Sequence, residues 1–278
     1  MNPRELIRLT AERFRAAGVP DPENDAALLL AHLTGKPALA LRLETDTDVD
    51  ASVRAAYDKL VLRRLDRYPL QYILGEAPFC NRIFKVDPRV LIPRPETELL
   101  CEWALELLSG VSFPRVLDLC CGSGCLGLTV KAERPDASVT LSDLSGDALN
   151  VTAVNAARFS LDVSVVQSDL FRDLAGSCFD LILSNPPYIP SGLCDSLQPE
   201  VRAEPLLALD GGSDGCDLYR RIISTAPAFL SDGGKLLMEL GINEADYLAD
   251  ILENSGWRNI VIRRDYAGVD RMILAMKP

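Results

Sequence analysis

The tetrapeptide Asn185-Pro186-Pro187-Tyr188 places an amide, two prolines and a phenol directly after the apolar run 179–184. Consecutive prolines cannot continue a strand ladder, so the backbone must leave the sheet here and form a rigid polar rim. The Asn185 side-chain oxygen and the Pro186 carbonyl could accept the N–H groups of a planar amide or aryl amine. Tyr188 could stack on that group and offer a π face to a sulfonium cation. The pattern favours methyl transfer to a nitrogen with a delocalised lone pair; the alternative is a strand-ending turn with a packed tyrosine.

A glycine-rich loop follows the first predicted strand of the second half of the chain. This loop, Asp118-Leu119-Cys120-Cys121-Gly122-Ser123-Gly124, opens a helix, and its two glycines allow the backbone to approach a ligand closely. Asp143 ends the next strand, 25 residues after Asp118, where a carboxylate can accept both hydroxyl groups of a ribose. Loop and carboxylate together predict a site for a ribose-bearing ligand.

Two further strand ends complete the predicted site. Ser168-Asp169-Leu170 ends the third strand, where a polar edge and an apolar side chain could bracket an adenine, and Asn185 ends the fourth. The glycines of residues 122–127 also fit a dinucleotide fingerprint, whereas a phosphate-binding P-loop is absent. Hydride transfer gives no role to an amide beside a double proline, and this half of the chain lacks histidine. Loop and tetrapeptide together favour S-adenosylmethionine as the cofactor.

The composition of the 278 residues limits the partners of the protein. The net charge is −11 and basic residues do not cluster, so direct binding of nucleic acid is not expected. The charged N-terminal stretch argues against a signal peptide, and no uncharged run is long enough for a bilayer, so we expect a cytoplasmic protein without membrane contact. Cys120, Cys121 and Cys125 lack a second ligand pair at zinc spacing, so no metal site is predicted.

The element pattern changes twice along the chain. Residues 1–74 predict a small domain of helices without strands, in which Asn2 caps the first helix and Gly35 ends the second. Residues 75–95, broken by glycine and prolines, predict an extended connector with a β-hairpin, and a helix capped near Thr97 follows. Residues 96–278 alternate strands and helices, which predicts a doubly wound, Rossmann-like α/β sheet whose last two strands are antiparallel.

Five motifs together resemble the bacterial HemK/PrmC family of release factor glutamine methyltransferases. The motifs are Gln71-Tyr72-Ile73-Leu74-Gly75, Leu91-Ile92-Pro93-Arg94-Pro95-Glu96-Thr97-Glu98, Asp118 to Gly124, Gln167-Ser168-Asp169 and Asn185-Pro186-Pro187-Tyr188. The resemblance covers the catalytic half and the connector, and the helical region matches in architecture more than in detail.

This resemblance implies N5-methylation of the glutamine in the Gly-Gly-Gln motif of peptide chain release factors, with S-adenosylhomocysteine as the second product. It implies a seven-stranded class I methyltransferase sheet, and a helical domain and connector that help to embrace the release factor. We also expect a monomeric protein. Asn185, Pro186, Pro187 and Tyr188 would hold the glutamine, with Asn185, Pro186 and Tyr188 as the catalytic residues. The cofactor is assigned to Cys120, Cys121, Gly122, Ser123, Gly124, Asp143, Leu170 and Asn185, to which the strand-end argument adds Asp118 and Asp169.

Two departures from the family pattern and three other functions stand beside this interpretation. Cys120 occupies a position where the family commonly has glycine, and Leu170 one where some relatives carry an aromatic residue. A glutamine methyltransferase acting on a ribosomal protein, a DNA adenine N6-methyltransferase and a silent adenosyl-binding module are the alternatives. The DNA enzyme would need a basic target-recognition domain, which this acidic chain lacks.

Overall fold

The computed structural model describes residues 1–278, and contacts within the chain divide them into two units. The first unit contains Met1–Glu76 together with the short segment Gln198–Ala203. The second contains Ala77–Leu197 and Glu204–Pro278. No pattern in the sequence links the segment 198–203 to the first unit, and the domain boundaries expected after residues 74 and 95 stay predictions.

Helices occupy both units and carry the labels used below. The eleven α-helices are α1 (Pro3–Ala16), α2 (Pro22–Thr34), α3 (Ala38–Leu43), α4 (Ala51–Leu65), α5 (Leu70–Leu74), α6 (Pro95–Leu107), α7 (Cys125–Glu133), α8 (Gly146–Arg158), α9 (Pro199–Arg202), α10 (Asp217–Thr225) and α11 (Ala245–Asn254). Three short 3₁₀ helices cover Ser191–Ser196, Leu206–Ala208 and Ala226–Phe229. No helix combines the length and the apolar character that crossing a bilayer requires.

The ends of the first two helices follow from their sequences. The Asn2 side-chain oxygen accepts a hydrogen bond from the Glu5 amide at 2.9 Å, and Pro3 occupies the first helical position, where its missing N–H costs nothing. Gly35 ends α2 with φ +68°, a left-handed conformation that glycine adopts without a steric penalty. Both predicted helix ends are confirmed.

The core of the helical unit is apolar and contains one buried tyrosine. Leu6 and Phe14 of α1 pack with Leu30 of α2 and with Tyr57 of α4. The Tyr57 hydroxyl donates to the carbonyl of Ala26 at 3.0 Å, so the phenol is buried without leaving its polar group unpaired.

A buried group of charges ties the segment 198–203 to α4 within this unit. The Arg64 guanidinium, only 4% exposed, donates to Asp25 at 2.7 Å and to Glu200 at 2.7 Å. Arg67 donates to the same Glu200 carboxylate at 2.6 Å. Burial raises the pKa of Asp25 although Arg64 opposes the shift, so this carboxylate depends on its partner.

A hairpin of β1 (Glu76–Phe79) and β2 (Arg82–Lys85) stands where the second unit begins at Ala77. Cys80 and Asn81 turn the chain with φ of +45° and +58°, the signs that a tight two-residue hairpin turn requires. The hairpin expected in the connector is therefore present.

Seven strands form the main sheet. They are β3 (Arg115–Leu119), β4 (Ser138–Asp143), β5 (Ser164–Gln167), β6 (Phe179–Ser184), β7 (Leu230–Glu239), β8 (Arg258–Arg264) and β9 (Asp270–Met276). Their order across the sheet is β5, β4, β3, β6, β7, β9, β8. The first five are parallel, whereas β9 pairs antiparallel with β7 and with β8. The predicted seven-stranded sheet with an antiparallel last pair is confirmed.

Helices cover both faces of this sheet because successive strand residues point to opposite sides. Val116 packs into a cluster with residues of α6, α7 and α8, whereas the adjacent Leu117 packs with residues of α10 and α11. Leu181 and Ile182 of β6 divide between the same two clusters. The parallel strands are thereby buried on both faces, and their carboxyl ends meet at one edge of the sheet.

Replacing Arg64 by alanine would leave the buried Asp25 without its charge partner, and we expect the helical unit to lose about 3–5 kcal/mol of stability. Amide hydrogen exchange of the full chain measures this loss as faster exchange in peptides from α2 and α4. The exposed Arg8, which pairs with Glu5 and Glu12, provides the control, since its replacement by alanine should change exchange little. Unchanged protection of α2 in the Arg64 variant would contradict the assigned role.

Candidate active site

A cavity of about 610 Å³ lies at the carboxyl edge of the parallel strands, within the second unit. The predicted site residues that line it are Asp118, Cys120, Cys121, Gly122, Ser123, Asp143, Asp169, Leu170, Asn185 and Pro187. Gly124, Pro186 and Tyr188 do not line it. Four strand ends therefore converge on one space, as the sequence pattern suggests.

The loop after β3 has a strongly curved backbone. Cys120, Gly122 and Gly124 have φ of +62°, +55° and +78°, all in the left-handed region. A residue with a Cβ is strained there by roughly 1 kcal/mol, so Cys120 occupies a position that suits glycine. The Cys121 amide donates to the Ser142 carbonyl at 3.0 Å, which fixes the loop to the end of β4.

The glycines of this loop have different neighbours. A Cβ on Gly122 would meet no atom within 4 Å, so the backbone is open on the side where a side chain would stand. A Cβ on Gly124 would lie 2.9 Å from the Thr152 side chain, and one on Gly127 would lie 2.8 Å from the Asp118 Cβ. Gly122 thus leaves room for a ligand, whereas Gly124 and Gly127 allow α7 to pack closely on the sheet.

Asp118 is a buried carboxylate with an unused oxygen. Its Oδ2 accepts the Gly127 amide at 2.8 Å, while its Oδ1 has no partner, and the side chain is 1% exposed. The Ser142 hydroxyl, also at the cavity wall, lacks a partner as well. Burial raises the pKa of Asp118 to about 7, with the charge of Asp143 adding to the shift.

Asp143, at the end of β4, holds two backbone segments. Its Oδ2 accepts the Gly122 amide and its Oδ1 accepts the Ser145 amide, each at 2.9 Å. Burial raises the pKa of Asp143 although these amides favour the charged form. A carboxylate oxygen can accept more than one hydrogen bond, so both oxygens keep capacity for a ligand hydroxyl.

The residues after β5 form one polar and one apolar part of the wall. Asp169 pairs with Arg221 at 2.6 Å on an exposed surface. Leu170 lines the cavity with a side chain that is only 7% exposed. Asp169 is thus already engaged by a cation, whereas Leu170 presents an apolar surface.

The tip of β6 is bound into a chain of side chains that sequence reasoning missed. The Asn185 Nδ2 donates to Thr97 Oγ1 at 3.3 Å, and the Thr97 hydroxyl donates to Glu239 Oε2 at 2.6 Å. The Tyr188 hydroxyl donates to Glu239 Oε1 at 3.3 Å, and the Tyr219 hydroxyl donates to the Glu239 carbonyl at 2.8 Å. Glu239 therefore connects the two polar residues of the tetrapeptide.

Neither Thr97 nor Glu239 was assigned a site role from the sequence. The sequence predicts a cap at or near Thr97, but α6 begins at Pro95 after Arg94, which makes no side-chain cap bond, and the Thr97 hydroxyl bonds to Glu239 instead. Glu239 ends β7 directly after the apolar residues 236–238. The rule that polar residues at parallel strand ends form sites would have found it, had it been applied to this strand.

A buried carboxylate also fixes another part of the cavity wall. Glu204, 5% exposed, accepts the Ile92 amide at 3.0 Å and the Arg94 guanidinium at 2.6 Å. Arg94 and the adjacent Pro93 line the cavity, as do the residues 205–208 that follow Glu204. One side chain thus holds both segments of this wall in place.

The strand order and the cavity at the carboxyl edge of the sheet are those of the class I methyltransferase fold. A methyltransferase from Pyrococcus furiosus superposes with a TM-score of 0.53 at 16% identity, covering 70% of this chain and 88% of that one. The T. thermophilus 16S rRNA N2 G1207 methyltransferase, in complex with AdoMet and guanosine, superposes with a TM-score of 0.53 at 21% identity, covering 73% of this chain and 50% of that one. At these identities the likeness concerns the fold.

Family models and sequence relatives identify the enzyme more narrowly. The PrmC N-terminal domain model matches residues 5–75, and the methyltransferase small domain model matches residues 97–195. The release factor glutamine methyltransferase of Deinococcus radiodurans is 43% identical over 279 residues, covering 100% of this chain and 99% of the relative. That of Geobacter sulfurreducens is 38% identical over 271 residues, covering 97% and 95%. The chain belongs to the release factor glutamine methyltransferase family, as its motifs indicate.

Replacing Asp118 by asparagine should flatten the dependence of stability on pH. The folded carboxyl, with its pKa raised to about 7, keeps a proton that the unfolded chain has released, so the contribution of this group to stability falls as pH rises from about 4 to about 7. In the Asn variant the part due to this group, on the order of 3 kcal/mol, disappears. Urea unfolding at several pH values, without cofactor, measures the slope.

The exposed Asp136 provides the control for this experiment. Its hydrogen bonds to Arg134 lower the pKa of Asp136 to about 2, so it is ionised in both states between pH 5 and 8. Replacing Asp136 by asparagine should therefore displace the stability curve without changing its slope. Equal slopes in the wild type and the Asp118 variant would refute the raised pKa.

Proposed function

We propose that this protein transfers a methyl group from S-adenosylmethionine to the side-chain nitrogen (N5) of the glutamine in the Gly-Gly-Gln motif of peptide chain release factors. The observation that carries the proposal is the orientation of Asn185 at the cavity wall. Its Nδ2 is engaged by Thr97, and no group of the protein donates to its Oδ1. The named activity of the relatives supplies the substrate.

The tetrapeptide offers two acceptors to one planar donor group. A glutamine carboxamide carries two N–H bonds, and the Asn185 Oδ1 and the Pro186 carbonyl would accept one each. No backbone amide bonds to the Pro186 carbonyl, because the chain turns out of the sheet at this point. Two such bonds would hold the nitrogen and leave its π face directed toward an electrophile.

The cavity residues fit an adenosyl cofactor. The unpartnered Asp118 Oδ1 and Ser142 Oγ offer acceptor atoms, and Gly122 leaves open space above the loop. Asp143 would accept ribose hydroxyls and Leu170 would pack against the adenine, while Cys120, Cys121 and Ser123 would contribute wall contacts. When bound, S-adenosylmethionine supplies a methyl group on a positively charged sulfur.

Positioning would carry the rate of this reaction. Glu239, the buried carboxylate that contacts the tetrapeptide, is 1% exposed and already accepts bonds from Thr97 and Tyr188. It is therefore not placed to remove a proton from the substrate. Asn185 and Pro186 would instead hold the two N–H bonds during attack, and the proton that the nitrogen then loses passes to solvent.

Replacing Asn185 by alanine should lower kcat by about 100-fold or more, since it removes one of the two acceptors for the substrate amide. The dissociation constant of S-adenosylmethionine should change much less, because the loop and Asp143 are intact. The measurement combines labelled methyl transfer to a purified release factor with calorimetric titration of the cofactor. Near wild-type turnover in this variant would refute the role of Asn185.

Substrate controls separate the proposed reaction from its alternatives. A release factor whose Gly-Gly-Gln glutamine is replaced by alanine should accept no label. Ribosomal proteins and adenine-containing DNA, tested in parallel, should remain unlabelled. Methylation of either in place of the release factor would overturn the substrate assignment and leave the methyltransferase class intact.

A further inference from the structure

The bonds around the tip of β6 have a defined direction. Asn185 contacts Thr97, Thr97 contacts Glu239, and Glu239 also contacts Tyr188. Thr97 is 2% exposed and Glu239 is 1% exposed, so solvent does not compete for these bonds. The residues come from α6, β7 and the turn after β6, all in the second unit.

The number of protons determines which atom donates in each bond. Burial raises the pKa of Glu239 to about 7, and in its ionised form this residue is only an acceptor. The single hydroxyl proton of Thr97 then points to it along the 2.6 Å contact. The Thr97 oxygen then offers only a lone pair to Asn185. Asn185 must meet this lone pair with its Nδ2, and its Oδ1 consequently points away from Thr97.

An asparagine amide is nearly symmetric in shape but not in chemistry. Without a fixed partner, Asn185 could turn its NH₂ group toward the space where the substrate amide has to bind. Two NH₂ groups facing each other form no hydrogen bond, so that orientation would not hold the substrate. A bond on the Thr97 side is therefore needed to select the productive orientation.

We propose that Glu239 is a positioning residue which, through the Thr97 hydroxyl, holds the Asn185 carboxamide with Oδ1 available to the substrate amide. This inference rests on the proposed function of Asn185. Glu239 acts on the Asn185 orientation rather than on the reacting atoms, because Thr97 lies between them. Its second oxygen restrains Tyr188 from the other side.

Three variants test the chain of hydrogen bonds from Glu239 through Thr97 to Asn185, called the relay below. Thr97→Val keeps the shape of the side chain and removes the hydroxyl, and we expect kcat to fall on the order of 10- to 100-fold. Thr97→Ser restores the hydroxyl and should return kcat to within about threefold of the wild type. Thr129→Val provides the matched control, since Thr129 is a buried threonine of α7 whose hydroxyl has no partner. It should leave kcat unchanged.

The role of Glu239 is tested by a double-mutant cycle. Glu239→Leu removes the acceptor, which frees the Thr97 proton to turn toward Asn185, so kcat should fall as in Thr97→Val. The double variant should be no slower than the slower single variant, because both changes break the same relay. If the fold-reductions in kcat of the two single variants multiply in the double variant, the changes are two independent packing defects, and the proposal is overturned. The cofactor dissociation constant should stay within about threefold throughout.

Hydrogen exchange of the Asn185 side-chain amide, measured by NMR in the protein without substrate, tests this inference separately from the proposed function. In full-length protein labelled with ¹⁵N-asparagine, the side-chain NH₂ signal of Asn185 is assigned by its loss in Asn185→Ala. We expect slowed hydrogen exchange of this group in the wild type and in Thr97→Ser, and fast exchange in Thr97→Val. Identical exchange in the wild type and Thr97→Val would refute the relay, even if release factor methylation is confirmed. Failure of methylation in the wild type would refute the function alone.

Discussion

A carboxylate buried at the end of a strand has to be satisfied by nearby donors, and this constraint organises the second unit. Asp118 is the last residue but one of β3, whereas Asp143 and Glu239 are the last residues of β4 and β7. Burial raises the pKa of each of these carboxyl groups. Three of the donors that these groups bind, Gly122, Ser145 and Thr97, line the cavity. The ligand site is thus built from the bonds that make the burial of charge tolerable.

The three carboxylates act on different kinds of partner. Asp118 and Asp143 accept backbone amides, and they shape the loop around Gly122 and the first turns of the helices that follow. Glu239 accepts hydrogen bonds from two side-chain hydroxyl groups. It does not bond to the backbone of the tetrapeptide, whose conformation is restricted by the two prolines. Backbone geometry on the cofactor side and side-chain orientation on the substrate side are therefore set by separate groups.

The elements of the fold could be predicted from the sequence because they depend on local patterns. The alternation of strand and helix patterns in residues 96–278 predicted a doubly wound sheet with an antiparallel last pair, which is the sheet found. The pairing of Thr97 with Glu239 could not be found in this way, since the two residues are 142 positions apart. The link between Arg64 and Glu200 was hidden for the same reason. A charged or polar residue shows in sequence that it needs a partner, but not which one.

The place of Glu200 in the chain has a consequence for synthesis. Glu200 lies 136 residues after Arg64, and the segment between them contains six strands. The ribosome therefore synthesises all six before it adds Glu200, which completes the charge group of the helical unit. At about 5–20 residues per second this interval is on the order of ten seconds. During that time Arg64 has only Asp25 to pair with, and Arg67 lacks the carboxylate that it binds in the finished protein. The amino-terminal helices therefore leave the ribosome first and reach their final state late, when the newly made segment 198–203 returns to them.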